Sequence, residues 1–283
     1  MQSRPFVRAL IWGAGVVLVL VLAYLLLFRA DKGTAPGRVF DPGAFLGARP
    51  KLDAPNVASG LQVVDAMLGL AGVRPDDFVI DLGSGDGRIL IAAARSYGAR
   101  GLGVDIDPAR IAEANFNARE AGVAGRIAFR REDLFGTPLG EADVLTLYLT
   151  PEVNLRLRPR ILAQMRAGTR VVSHDYDMGE WRWDERRRVG AATVYLWLVP
   201  ARIGGDWTLS ANGRAVPLTI RQSFQNFIGT AGGARLEQGR VTGDRVRFIA
   251  DLGEGRQTFE GRVSGNVIEP IDAQAGWRAL RSS

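Results

Sequence analysis

Residues 78–90 read FVIDLGSGDGRIL. Phe78, Val79 and Ile80 are apolar and lead to an acid, Asp81. Glycines follow at alternate positions, Gly83, Gly85 and Gly87, with Ser84 between the first two, and an apolar run restarts at Ile89. The pattern predicts a buried strand over Phe78–Leu82, a sharp turn, and a helix from Gly87 to Tyr97. Glycine lets the chain turn tightly and lets a ligand approach the main chain. The unpaired N–H groups of the new helix then point at that ligand. The stretch therefore reads as a cofactor cradle.

Strands and helices alternate on either side of it. Gly60–Leu70 has helical apolar spacing. Gly101–Ile106 is a second strand, and Asp107-Pro108 caps and starts a helix to about Ala121, stopped by Gly122. Further strands are expected at Arg126–Arg130, Ala142–Leu149, Thr169–Ser173 and Thr193–Val199. Pro151 opens another helix, which Pro159 is expected to kink or restart. This alternation implies an α/β, Rossmann-like domain over residues 58–201, with a mostly parallel sheet and helices on both faces. After Arg202 the helical periodicity fades into short alternating stretches separated by glycine turns. GRVTGD at Gly239 and GRVSGN at Gly261 each read as a strand end plus a hairpin turn. Residues 202–283 are expected to form a small antiparallel β-domain of roughly six to eight strands, a sandwich or a barrel.

Ahead of the domain, residues 1–8 form a short tail, and Ala9–Phe28 is a run of twenty uncharged, mostly apolar residues bracketed by Arg8 and Arg29. A helix of that length spans a bilayer core of roughly 30 Å. The rival, a cleaved signal peptide, has an apolar region of about 7–15 residues and a small-residue cleavage site. The longer run, ending in Leu25-Leu26-Leu27-Phe28, reads as an uncleaved transmembrane anchor. Residues 29–57 are rich in proline and glycine and read as a linker. Arg29, Lys32 and Arg38 beyond the span slightly favour a single-pass protein of the inner membrane with its large part cytoplasmic.

Lys+Arg exceeds Asp+Glu by 36 to 30, a net charge of +6. The excess forms no long run, so it reads first as a solvated surface. There is no cysteine, which excludes disulfides, thiolate catalysis and cysteine metal sites; the single histidine, His174, excludes a multi-histidine metal site.

Two cofactors compete for the glycine turn. A dinucleotide fingerprint is GxGxxG with an acid about 20 residues on, and Asp105 has that position. Here, however, the third glycine is Gly87 and position 88 is Arg. Asp81 and Asp86 would also oppose a pyrophosphate, whereas they would favour an amine and a sulfonium. That points to S-adenosylmethionine. DLGSGDGR, GVDID, REDLF and LYLTP, in that order, resemble the successive motifs of class I S-adenosylmethionine-dependent methyltransferases. The nearest subgroup has a membrane anchor and a Tyr-Leu-x-Pro motif, and includes the ATP synthase c-subunit lysine N-methyltransferases. The resemblance spans about Gly60 to Ala201. It implies that Asp81 and the turn Gly83, Ser84, Gly85 and Gly87 hold the methionine end. It implies that Asp105, with Ile106 beside it, takes the ribose hydroxyls, that Asp133 reads the adenine amino group, and that the Leu134 backbone reads its ring. Tyr148 to Pro151 would line the methyl-transfer site. The C-terminal β-domain and the lead APNVASG depart from that subgroup.

Ser173-His174-Asp175-Tyr176 follows the fifth strand, where ligands bind in such sheets. His174 is a candidate base there or a hydrogen-bonded loop residue. Arg156, Arg158, Arg160 and Arg186–Arg188 are exposed charge or contacts to anionic lipid. Trp181 and Trp183 beside Arg182 suggest nucleic acid only weakly. The expected function is methyl transfer to a protein side chain, a lysine amine, near the membrane. The alternatives are a lipid or small hydrophobic acceptor, or a tethered binding module without turnover.

Overall fold

A computed structural model describes residues 59–282. The expected tail, transmembrane span and linker lie outside the described residues, and among the described residues no helix is long and apolar enough to cross a membrane.

Strand β1 (Phe78–Leu82) is apolar on both faces except for Asp81, and lies at the centre of the five parallel strands of a seven-stranded sheet. Its neighbours are β2 (Arg100–Asp105) and β4 (Val144–Leu147), both parallel to it, with Ile80 opposite Leu102 on one side and Leu145 on the other. Outside these run β3 (Ile127–Arg131), then β5 (Arg170–His174), β6 (Glu185–Val189) and β7 (Ala192–Leu198), in the order β3-β2-β1-β4-β5-β7-β6. The first five are parallel; β7 is antiparallel to β5, and β6 to β7. The chain reverses direction across the sheet between β1 and β4, which opens a crevice at their carboxyl ends.

Helices α1 (Leu61–Leu70), α2 (Arg88–Tyr97) and α3 (Pro108–Glu120) bury Met67, Leu90 and Ala114 in a cluster with Val79, Val144 and Val194 on one face. On the other face, α4 (Pro151–Gln164) buries Val153, Leu157 and Ile161 against Ile80, Leu145 and Trp197. The Asp107 side chain accepts the Ala109 N–H and starts α3, the expected cap.

Three local expectations are corrected. β4 stops at Leu147, not Leu149, because Tyr148–Thr150 leave the sheet and the Thr150 side chain caps α4. Pro159 neither breaks nor restarts α4, which runs unbroken through it; Pro159 and Leu155, whose carbonyl loses its partner, lie on the exposed side where water can serve. Ser173 and His174 belong to β5 itself. Edge strand β6 was not foreseen, since ERRRV has no apolar alternation; charge suits an unpaired edge.

The second sheet holds nine strands: β8 (Gly205–Ala211), β9 (Arg214–Ser223), β10 (Asn226–Ala231), β11 (Ala234–Arg235), β12 (Glu237–Thr242), β13 (Arg245–Asp251), β14 (Arg256–Ser264), β15 (Val267–Pro270) and β16 (Trp277–Arg281). All pairings are antiparallel, and β9 also pairs with β10, which closes the sheet into a barrel around Trp207, Phe248, Phe259 and Trp277. The two related hexapeptides supply the turns Gly243-Asp244 and Gly265-Asn266 between β12 and β13 and between β14 and β15.

The closing seam depends on Gly229, opposite Ile220, where a Cβ would overlap the Thr219 carbonyl oxygen. Gly229→Ala must therefore push the two strands apart. The expected cost is roughly 1–3 kcal/mol or more, read as a lowered midpoint in urea. An unchanged midpoint would mean that the seam does not carry the barrel.

Candidate active site

The turn after β1 is built by backbone contacts. Gly83, Gly85 and Gly87 have φ of 77°, 52° and 81°, in the left-handed region. The Gly83 and Ser84 N–H groups both donate to the Val104 carbonyl at 2.9 Å, so the turn lies across the end of β2. The two flanking glycines of the helix start differ in what they face. A Cβ at Gly87 would lie 2.6 Å from Phe129 Cζ, so this position is needed for packing on β3, whereas a Cβ at Gly85 meets nothing within 4 Å. Gly85 therefore borders open space at the crevice. Its N–H donates to Asp105 Oδ2 at 3.0 Å, and the Asp107 N–H donates to Oδ1 at 3.0 Å. Each carboxylate oxygen keeps a further lone pair for a ligand hydroxyl.

Asp81 is 2 % exposed and sits inside β1. Its Oδ1 accepts from Thr146 Oγ1 at 2.6 Å, while Oδ2 is buried without a partner. Burial is the main cause that raises its pKa, to about 7; the Thr146 bond opposes this, and the carboxylates of Asp105 and Asp86 add to it. The Ser84 hydroxyl beside the turn is also buried without a partner. A cationic amine fits this site, because it would satisfy the orphan oxygen and restore the charged carboxylate. Asp86 does not contribute free charge in the way the sequence suggested. Burial would raise it, but the Arg88 guanidinium, with Nε 3.0 Å from both oxygens, holds its carboxyl below the usual range.

The other expected cofactor residues share the same sheet end. Ile106 is half-buried just past β2. The loop after β3 is tied to β2 by the Glu132 N–H, which donates to the Asp105 carbonyl at 3.1 Å. In it Asp133 is exposed and accepts from the Phe135 N–H at 2.9 Å; the Leu134 carbonyl accepts from Arg160 at 3.2 Å.

Across the crevice, Tyr148 stacks on His174 with ring centroids 3.8 Å apart, and on Tyr176 at 6.5 Å. Leu149 reaches under the glycine turn, 2.9 Å from where a Gly83 Cβ would stand. The Tyr-Leu-x-Pro stretch thus meets the cradle directly. Pro151 plays a different part: it is exposed and occupies the first turn of α4.

His174 is 5 % exposed. Its Nδ1 lies 2.8 Å from Ser59 Oγ and its Nε2 3.3 Å from Asp175 Oδ2. Burial lowers its pKa, with Asp175 opposing, so the ring is neutral, donating from Nε2 and accepting at Nδ1. Burial, then Asp175 and Tyr176, raises the pKa of Tyr148, which stays a phenol. One residue escaped the sequence reading. Asn154 of α4 is fully buried, and its Nδ2 reaches Ser173 Oγ at 3.3 Å and the Tyr176 carbonyl at 3.2 Å, while its Oδ1 has no partner. Its only signal was its place one helical turn after Thr150. Trp181 is fully buried and offers no stacking face, while Trp183 is half-buried with the guanidinium groups of Arg182 and Arg186 5.0 and 4.9 Å from the centre of its ring.

The family model described as the ANTKMT methyltransferase domain matches residues 81–185, from Asp81 to the first residue of β6. A protein-lysine N-methyltransferase of Saccharolobus islandicus is 39 % identical over 150 residues, which cover 51 % of this chain and 93 % of that protein. The adenine nucleotide translocase lysine N-methyltransferase of Mus musculus is 30 % identical, covering 59 % of this chain and 72 % of its own. Among solved structures, an RNA methyltransferase from Salinibacter ruber in complex with S-adenosyl-L-homocysteine is 52 % identical, with a TM-score of 0.51, covering 52 % of this chain and 96 % of that one.

Asp81 gives the unliganded protein a signature. Its raised pKa means that the folded state binds a proton that the unfolded chain releases between about pH 4 and about pH 7. Its contribution to stability is thus full below that window and is lost as pH rises through it. Asp81→Asn, which keeps the acceptor for Thr146, is expected to flatten this slope and to stabilise the unliganded protein by at least about 1 kcal/mol at pH 8. Thermal unfolding from pH 4 to 8 reads both effects, and parallel wild-type and variant curves would contradict the assignment.

Proposed function

The chain belongs to the class I S-adenosylmethionine-dependent methyltransferases and is homologous to the ATP synthase c-subunit lysine methyltransferases, and on that premise we propose that it methylates a lysine amine of a protein acceptor. The observation that carries this reading is the uncharged aromatic stack of Tyr148, His174 and Tyr176 at the carboxyl ends of β4 and β5, beside the strand that leads into the glycine turn. The lysine-methylating relatives from Saccharolobus islandicus and Mus musculus support it.

S-adenosylmethionine supplies a methyl group on a sulfonium sulfur, which leaves readily. Asp81 and the Gly83–Gly87 turn hold its amino-acid end, Asp105 with Ile106 its ribose, and Asp133 with Leu134 its adenine. The methyl acceptor must arrive as a free amine, because an ammonium has no lone pair, and lysine ordinarily titrates near about 10.4. The low polarity of the aromatic rings disfavours the charged form of the amine, which lowers its pKa. His174, neutral and held at both nitrogens, fixes the Tyr148 ring; Asn154 fixes the carbonyl of Tyr176. The remaining work is alignment of amine, methyl and sulfur. The apolar run at 9–28 would tether this chemistry to the cytoplasmic side of a membrane, where the cofactor is made.

The Salinibacter ruber relative favours RNA as the second reading. One experiment separates the two. Membranes and extracts from cells with wild-type chain or Asp105→Ala are given methyl-labelled S-adenosylmethionine, then divided into protein, RNA and lipid. The expected result is label in a protein band, recovered as methyl-lysine after hydrolysis and reduced at least about tenfold by Asp105→Ala, which removes two charge-assisted hydrogen bonds. Asp105-dependent label in RNA or lipid would overturn the lysine assignment.

A further inference from the structure

The segment 175–184 carries Tyr176 out of β5 and back to β6 without helix or strand of its own, apart from an isolated bridge between Met178 and Trp181. Its shape is held from outside. Near its start, Asn154 of α4 holds the Tyr176 carbonyl. At its middle, Arg158 of α4 donates to the Met178 carbonyl at 2.8 Å. Beyond that point the barrel takes over. Phe224 stacks on the buried Trp181 ring, 6.4 Å between centroids and 13° from parallel. Gln225 Nε2 donates to the Arg182 carbonyl at 2.5 Å. Arg240 of β12 pairs with Asp184 at 2.8 Å, and Asp184 in turn accepts from the Leu198 N–H at 2.8 Å.

Phe224 and Gln225 are the two-residue turn between β9 and β10, at the seam that closes the barrel. Hairpin turns ordinarily run over the surface in water. This one is inserted instead: Gln225 is 1 % exposed, and Phe224 has a φ of 52°, an unusual conformation for a bulky residue. Gln222 supports it by donating to the Phe224 carbonyl at 2.8 Å. The Arg158 guanidinium lies 5.2 Å from the centre of the Phe224 ring, so α4, the 175–184 segment and the barrel meet at one point.

We infer that this turn is a positioning device: Phe224 and Gln225 hold the 175–184 segment so that Tyr176 stands in the acceptor wall. The inference rests on Tyr176 belonging to that wall, and it assigns the barrel a part in the reaction. The cofactor cradle has its own supports, Thr146 on Asp81 and Gly85 on Asp105. Loosening the turn should therefore affect transfer and leave cofactor binding intact.

The full chain with Phe224→Ala, and with Phe224→Tyr as the conservative variant, tests this. Amide hydrogen exchange read by mass spectrometry should quicken at least about tenfold over 176–184 in Phe224→Ala, with peptides from 81–90 and from β8 unchanged. The dissociation constant for S-adenosylmethionine should stay within about twofold, while kcat for label transfer into the acceptor fraction falls roughly 10- to 100-fold; Phe224→Tyr should restore both exchange and kcat. Wild-type exchange over 176–184 in Phe224→Ala would overturn the proposal. So would equal quickening throughout the barrel, which marks a merely structural residue, or a loosened segment with unchanged kcat. The exchange readout does not depend on the acceptor, so an RNA or lipid acceptor would refute the lysine reading and leave this result standing.

Discussion

A buried carboxyl group held by one hydroxyl is the constraint on which the site depends. Asp81 occupies a position in the central strand that its neighbours fill with apolar side chains, and Thr146 on β4 donates the hydrogen bond that makes this tolerable. That bond joins β1 to β4, the pair at which strand order reverses. It leaves one oxygen unsatisfied, which a hydrogen-bonded interior tolerates rarely and at a cost of about 1–3 kcal/mol. The glycine turn follows at once, and its contacts to Val104 and Asp105 bring the second acid to the same sheet end. The unsatisfied carboxyl oxygen beside the glycine turn is a feature that a bound cation would satisfy.

The acceptor side is built on a different logic. Where the cradle is backbone and carboxylate, the opposite wall is aromatic and neutral: Tyr148, His174 and Tyr176, with both ring nitrogens of His174 engaged within the chain. Such a wall imposes orientation and low polarity rather than proton transfer, which suits a displacement at a methyl group. Part of it comes from a segment without regular structure, whose far half is held by the barrel turn.

The cradle was legible because its chemistry is local. Glycines at alternate positions, a buried acid before them and another ending the next strand lie within 25 positions of one another, and each element has a recognisable start and stop. Asn154 was not legible, because a buried polar residue on a mixed helix looks like its exposed neighbours until the packing is known. Strand β6 was missed for the same kind of reason: three successive arginines signal solvent, and only the pairing of Arg187 with Val194 shows them to be an edge. Closure of the barrel, and insertion of Phe224 against Trp181, are contacts between residues far apart in the chain, beyond the reach of periodicity. The ion pair of Asp86 with Arg88 was not read from the sequence, because spacing alone does not show which charges meet.

The most direct test is calorimetric titration of the purified chain with S-adenosylmethionine at pH 6 in two buffers of different ionisation enthalpy. At that pH the cofactor amine is already protonated, while Asp81, with a pKa of about 7, is mostly protonated in the unliganded protein. If the amine takes the orphan oxygen of Asp81, binding must expel that proton. The account predicts release of on the order of one proton per cofactor at pH 6, and affinity that rises towards about pH 7. Binding with no proton release and no pH dependence would contradict it, and would place the cofactor's amino group elsewhere.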